Sequence, residues 1–368
     1  MRSSLVFALI WLLTFAFIGL VGEAYLRWHH FELPTDERHL PHPYLQNILD
    51  PSVEIVPGER LGAHGLRKTG RDHHDDNQYN IIAIGDSCTF SVASSKEATS
   101  YPTLLEERLG ELLDKPVEVY NAGVPGYNSL QMLLKLHMSL RDIEADEVII
   151  YGGWNDINVM RHDRGSLYIE NNANGMPKMY RHRTYWELAR QVPGGLERIL
   201  SRIYLYNHIK FKIAAHNDIE NTQAYWREHG LESLPPTPVI KPRLFDNFRN
   251  NMASIIALAR GRGAKVAVVT LATPLRDNYS REYEQHFMAK FGNDADNFIA
   301  LTPAEIFYHI KRFNDILREL AAAHDIRLYD WEKWYRETGD LSMFTDVVHP
   351  NDKGYAYLVE KIVEARAR

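Results

Sequence analysis

From Tyr79 onward the chain alternates short, continuously apolar runs with longer amphipathic ones. The apolar runs lie at residues 79–84 (YNIIAI), 117–122, 147–151 (EVIIY), 265–271 (KVAVVTL) and 326–329, each of strand length. Between them, residues 98–113 place Leu104, Leu105, Leu109, Leu112 and Leu113 at helical spacing. Residues 129–140, 244–259, 304–323 and 353–365 also read as helices. Strands apolar on both faces, alternating with helices, predict a parallel sheet covered on both sides. The expected class is α/β, a three-layer α/β/α domain with roughly five parallel strands. Residues 160–240, rich in aromatic and basic side chains such as Tyr180, Trp186 and Trp226, interrupt the alternation. They read as a mostly helical insertion beside the sheet.

The amino-terminal pattern is different. Residues 5–22 (LVFALIWLLTFAFIGLVG) carry no charge, and eighteen helical residues reach about 27 Å, close to the hydrocarbon thickness of a bilayer. A cleaved signal peptide has a shorter apolar core and a small-x-small cleavage site, for which Gly22-Glu23-Ala24 is a weak match. The length therefore favours an uncleaved transmembrane anchor, with Trp11, Tyr25 and Trp28 near the interfaces. Flanking charge is nearly even, Arg2 and the terminal amine against Arg27, and an amino-terminus-in orientation is the expectation. That orientation puts the rest of the chain outside the inner membrane, in the periplasm. The resulting division is an anchor (or signal peptide) at 1–22, an extension without sustained periodicity at 23–78 and the main domain at 79–368.

Composition narrows the function. The 368 residues are 45% hydrophobic and 24% charged, with a formal net charge of −6. A mildly acidic chain has no general attraction to polyanions, so no nucleic-acid partner is expected. Cys88 is the single cysteine, which excludes an intramolecular disulfide framework and a Cys-rich zinc site. His73, His74, Asp75 and Asp76 are consecutive residues of a loop; such residues seldom converge on one ion, and a solvated loop is the better reading.

Candidate chemistry gathers where ligands bind to open parallel sheets, beyond the carboxyl ends of the strands. Gly85-Asp86-Ser87-Cys88 follows the first strand, and Asn121-Ala-Gly-Val-Pro-Gly126 the second. Gly152-Gly-Trp-Asn155-Asp156 follows the third, and Asp346-Val-Val-His349 lies between the fifth strand and the last helix. Each cluster alone is weak, but their order and placement together are specific. A serine hydroxyl becomes a nucleophile when an imidazole takes its proton, and the imidazole needs an acceptor at its other nitrogen. An aspartate three residues upstream of His349 can reach it. A glycine N–H, an asparagine amide and the serine's own N–H can together receive a developing oxyanion. Thr89, not glycine, stands two places after Ser87, so the G-x-S-x-G elbow of α/β-hydrolases is absent. Cys88 beside the serine reads as a small buried hydrophobe, and the Asn278-Tyr-Ser280 sequon as chance.

On these four blocks, GDS at Gly85–Ser87, NAGVPG, GWND and DVVH, the chain resembles the SGNH (GDSL-type) hydrolase superfamily over roughly residues 79–366. The resemblance implies the flavodoxin-like fold of that superfamily, with Ser87 as nucleophile, His349 as general base and Asp346 as its orienting acid. It implies an oxyanion hole from Ser87, Gly126 and Asn155, with Gly123 the alternative if the register of the glycine block is shifted. It implies no metal or organic cofactor. The expected activity is ester hydrolysis through an acyl-serine, on an O-acyl group of an envelope carbohydrate or on a lipid. Two alternatives share the sequence: an O-acyltransferase that passes the acyl group to a sugar hydroxyl, and an inactive binding or assembly protein.

Overall fold

The computed structural model describes residues 77–157, 242–276 and 303–367 without a break, together with the helix Arg2–Trp28 and parts of 39–67 and 200–209. The central element is β1 (Tyr79–Gly85), in which Ile81, Ile82, Ala83 and Ile84 are at most 1% exposed. A strand buried on both faces needs a layer on each side. β1 pairs in parallel with β2 (Val117–Gly123) and β3 (Glu147–Tyr151); β4 (Lys265–Val269) and β5 (Arg327–Tyr329) extend the sheet in the order β2-β1-β3-β4-β5. Gly85 is level with Gly123 on one side and with Tyr151 on the other. The first three polar clusters thus leave the sheet at one height.

The strand order decides where the helices go. After the short helix α1 (Ser87–Phe90), α2 (Tyr101–Leu113) returns the chain to β2 on one flank of β1, and α3 (Ser129–Met138) carries it back across to β3 on the other. Right-handed crossovers in opposite directions place α2 and α3 on opposite faces. α4 (Pro242–Gly261) packs on α3, α5 (Pro303–His324) packs on α4, and the final helix α7 (Asp352–Ala367) packs on α2. This is the five-stranded parallel α/β sheet that the alternation predicts.

The differences are local. α6 (Trp331–Thr338) has no aliphatic stripe to announce it; it buries Trp331 and Tyr335, one turn apart, behind an Asp330 cap. β4 stops at Val269 because the Asn314 side chain takes both the N–H and the carbonyl of Leu271, at 2.7 and 2.8 Å, in place of a strand partner. Within the extension, His39–His42 pairs with Gln46–Leu49 and Glu54–Val56 with Glu59–Arg60. Strands of two to four residues are too short to show alternation. Leu45, Leu49 and Leu66 from this region are buried in the main core.

Residues 5–22 fall within the helix Arg2–Trp28, whose Phe15, Phe17 and Leu20 are exposed. Among the described residues no helix is long and apolar enough to cross a membrane, and several side chains of this run lie outside the described set. The 160–240 insertion lies outside the described residues apart from positions 200, 205, 206 and 209, and His73 to Asp76 and Asn278 lie wholly outside them.

One buried ion pair ties the carboxyl-terminal helix to the sheet. Arg366 on α7 meets Glu147 at the start of β3 at 2.6 Å, with the side chains 6% and 2% exposed, and also donates to the Tyr329 hydroxyl at 2.6 Å. Removing one partner of such a pair leaves a bare buried charge, whereas removing both does not. Arg366→Met is therefore expected to lower the unfolding free energy by about 3–5 kcal/mol, measured by urea denaturation. The double variant with Glu147→Met should recover most of the loss.

Candidate active site

Ser87 is positioned by the way β1 ends. A Cβ added at Gly85 would fall 1.9 Å from the Tyr151 carbonyl oxygen, so only glycine lets the ends of β1 and β3 come this close. Asp86 then caps α1: its Oδ1 accepts from Cys88 N–H at 2.9 Å. Its Oδ2 accepts from Gly153 and Trp154 N–H at 3.0 and 3.1 Å. The carboxyl is fully buried, and burial raises its pKa against the pull of these N–H groups. Four residues are too few for a self-supporting helix, so α1 depends on what holds its ends.

The Asp346–His349 loop meets Ser87 from the far end of the chain. His349 Nε2 lies 2.8 Å from Ser87 Oγ, and His349 Nδ1 lies 2.5 Å from Asp346 Oδ2. Asp346 Oδ1 accepts from the Val348 and His349 N–H groups, both at 2.7 Å. Burial raises the Asp346 carboxyl pKa, but the His349 contact and the two backbone donors outweigh it and leave the group below its ordinary range. The loop is closed by an antiparallel bridge between Phe344 and Pro350, with Thr345 N–H on the His349 carbonyl at 2.9 Å. Thr273, just beyond β4, donates its hydroxyl to the Val347 carbonyl at 2.8 Å.

The glycine block forms a tight turn at 124–127. Tyr127 N–H donates to the Val124 carbonyl at 3.1 Å, and Gly126 has φ +84° after a proline, the type II pattern. This hydrogen bond uses Tyr127 N–H and leaves Gly126 N–H outside it. Gly123 is different: its N–H donates to Asn121 Oδ1 at 3.2 Å, and a Cβ there would lie 2.2 Å from Phe90 N. Gly123 serves close packing, which favours Gly126 over the shifted register. Asn155 is 6% exposed, and its Nδ2 donates to the Tyr127 carbonyl at 3.1 Å, at the edge of the same turn. Asp156 beside it accepts from Ser129 N–H and Oγ at 2.8 and 2.6 Å and so fixes the start of α3.

Cys88 is buried and its thiol faces the Val348 carbonyl at 3.6 Å. Burial pushes its pKa well up, with the Asp86 and Asp346 charges adding to the effect. A neutral, enclosed thiol is a packing group and not a nucleophile. Among the described residues no cluster of His, Cys, Asp or Glu could hold a metal ion.

A hydroxyl on an imidazole nitrogen, with a carboxylate on the other, is the arrangement in which the imidazole can take the hydroxyl proton. The sequence model of the GDSL-like lipase/acylhydrolase family matches residues 83–357, more than half of the chain. The chain belongs to that family. No curated protein sequence matches it. Among solved structures it is similar to a lipase/acylhydrolase from Enterococcus faecalis, at 17% identity and TM-score 0.40 over 78% of this chain and 95% of that one. It is also similar to a member of the lipolytic G-D-S-L family from Veillonella parvula, at 14% identity and TM-score 0.42 over 79% and 99%. As a GDSL acylhydrolase the protein is a hydrolase acting on ester bonds.

Two supports of this GDSL site were not anticipated. Thr273 carries no motif, and its contact with Val347 spans 74 residues. Arg67 precedes the family match altogether. It is 3% exposed, and its Nη1 donates to the Phe90 and Ser91 carbonyls at 2.7 and 2.9 Å and to Ser94 Oγ at 3.3 Å. It thereby satisfies the carboxyl-terminal carbonyls of α1, which carries Ser87 at its other end. The only sequence signal was a basic residue shortly before the first strand, which is no signal at all.

Arg67→Gln should lower stability by about 1.5–3 kcal/mol, the range for hydrogen bonds to charged groups. In the folded fraction kcat on a soluble ester should fall about tenfold or more, with KM little changed. Added guanidinium should restore part of kcat in Arg67→Ala. Unchanged kcat with a lower melting temperature would reduce Arg67 to packing.

Proposed function

We propose that the protein is a serine esterase in which Ser87 is the nucleophile, His349 the general base and Asp346 the residue that orients and charges the imidazole. The observation that carries this reading is the contact chain from Ser87 Oγ through His349 to Asp346, at 2.8 and 2.5 Å, joining residues 262 positions apart. As Ser87 Oγ attacks the ester carbonyl carbon, His349 Nε2 takes the hydroxyl proton and Asp346 stabilises the imidazolium. The carbonyl oxygen becomes an oxyanion, received by the N–H groups of Ser87 and Gly126 and the side chain of Asn155. The imidazolium returns its proton to the leaving alkoxide, and an acyl-serine remains. Water then attacks this ester with the same proton relay and releases the carboxylic acid. The donors need no reorientation as the charge develops, which is where such sites gain most.

The proposed substrate is an O-acyl group on an envelope carbohydrate, or a lipid ester, presented near a membrane. Two features support it. The charge-free run 5–22 has bilayer length, and Phe15, Phe17 and Leu20 are large apolar side chains left exposed. In this reading the run anchors the protein in the inner membrane with the esterase domain in the periplasm.

The proposal is open to direct measurement. A fluorophosphonate should label Ser87, and Ser87→Ala should lose both labelling and ester turnover; residual turnover above a few per cent would overturn the assignment. Asp346→Asn should lower kcat by up to about 10^4-fold, because the wrong imidazole tautomer is then favoured. Because the folded-state pKa of Asp346 is lowered, its contribution to stability is complete above the unfolded aspartate value and is lost as pH falls through the folded one. Asp346→Asn should therefore lose less stability on acidification than the parent. Product analysis with and without a polysaccharide acceptor separates hydrolysis from acyl transfer. For location, the protein should resist carbonate extraction, and an export-dependent reporter fused after Arg368 should be active; a silent reporter would place the domain in the cytoplasm.

A further inference from the structure

Behind the 124–127 turn a cavity of about 260 Å³ lies between the first amino-terminal hairpin and α3. Leu45, Leu49, Val124 and Tyr127 give it apolar walls, and His42 and Lys135 reach its edge. Lys135 is 5% exposed, and among the described residues its side chain has no hydrogen bond and no ion pair. Burial pushes its pKa down to about 7. Ser139 adds a hydroxyl to the lining, while the side chains of Gln131 and His42 are held within the chain. Gln131, one turn earlier on α3, donates to the Leu45 carbonyl at 2.9 Å and accepts from Asn128 N–H at 3.1 Å. His42 Nδ1 accepts from Leu45 N–H at 3.0 Å.

A buried ammonium without a counter-charge is unfavourable, and replacement by a methionine of similar length would remove the penalty. Its position beside an open cavity therefore points to a ligand that supplies the missing charge. The ligand chemistry follows from the walls. Among the described lining residues, one lysine and no cluster of N–H donors suits a singly charged head and not a phosphate; the leucine and valine surface suits a hydrocarbon chain. We propose that this cavity binds a short-chain carboxylate, its head paired with Lys135 Nζ and its chain on Leu45, Leu49 and Val124. Such a carboxylate is also the class of product that ester hydrolysis releases, and that connection alone rests on the proposed activity. The Tyr127 side chain lines the cavity, while its carbonyl holds Asn155, so an occupied cavity braces the turn that carries Gly126.

The test uses the full chain carrying Ser87→Ala, titrated with hexanoate and with hexanol and followed by calorimetry. Hexanoate should bind at least tenfold more tightly than hexanol, and Lys135→Met should abolish the difference while raising the melting temperature. Lys135→Gln serves as a second variant that keeps a polar head and should also lose the preference. Absence of hexanoate binding, an undiminished preference in both variants, or a lower melting temperature in Lys135→Met would each overturn the proposal. Fluorophosphonate labelling of the parent protein reads Ser87 independently, so failure here and failure of the esterase assignment are distinguishable.

Discussion

Asp86 sits fully buried where two parallel strands end, and its carboxylate accepts from backbone N–H groups on two different connections. In a sheet whose strands finish level, the loops beyond them would otherwise be free to splay. A carboxylate in a low-dielectric interior is tolerated only with several donors around it, and those donors are available only when the β1 and β3 connections keep one relative position. The requirement runs both ways. Satisfying the charge forces Ser87 onto the first turn of α1 and brings the Gly153-Trp154-Asn155 backbone beside it. The separation between Ser87 and the Gly153–Asn155 backbone thus follows from an unfavourable burial that has one good solution.

The other half of the site arrives from 262 residues away and is held by different means. The Asp346–His349 loop buries Val347 and Val348 in the core and is closed on itself by the Phe344–Pro350 bridge. Thr273 and Cys88 fix it from outside through the Val347 and Val348 carbonyls. Asp346 itself is over-satisfied, with two N–H donors on one oxygen and His349 on the other. The imidazole orientation is therefore built into the loop and does not depend on a ligand to impose it. Cys88, next to Ser87, belongs to this supporting set; its burial keeps the thiol neutral and places it under the loop.

The alternation of buried strands and amphipathic helices was legible because a parallel sheet demands apolar residues on both strand faces, and YNIIAI and EVIIY leave no other reading. The four polar blocks were legible for a related reason: once the strands are placed, their carboxyl ends are too. What stayed hidden depends on contacts between distant positions. α6 shows aromatic rather than aliphatic periodicity, and the end of β4 is decided by Asn314, 43 residues downstream. Arg67 and Thr273 are ordinary residues whose roles exist only in the folded chain. The extension hairpins are shorter than the window in which alternation can be seen.

The buried polar groups around the site divide into two kinds. Asp86, Asp156, Arg67 and Asp346 are each met by complementary groups of the chain, so their burial rigidifies the scaffold and specifies one arrangement. Lys135 lacks such a partner among the described residues, although it lies in the same interior and on the helix whose start Asp156 fixes. Among the described residues those four charges are met by the chain, whereas the Lys135 ammonium lines an apolar cavity. The distinction between the two kinds is the physical basis for separating residues that build a site from a residue that awaits something. Part of that cavity wall comes from the amino-terminal hairpin, outside the family-matched segment, as does Arg67. The extension is thus continuous with the domain it precedes, because the support of α1 and the packing behind the 124–127 turn are both completed by residues from it.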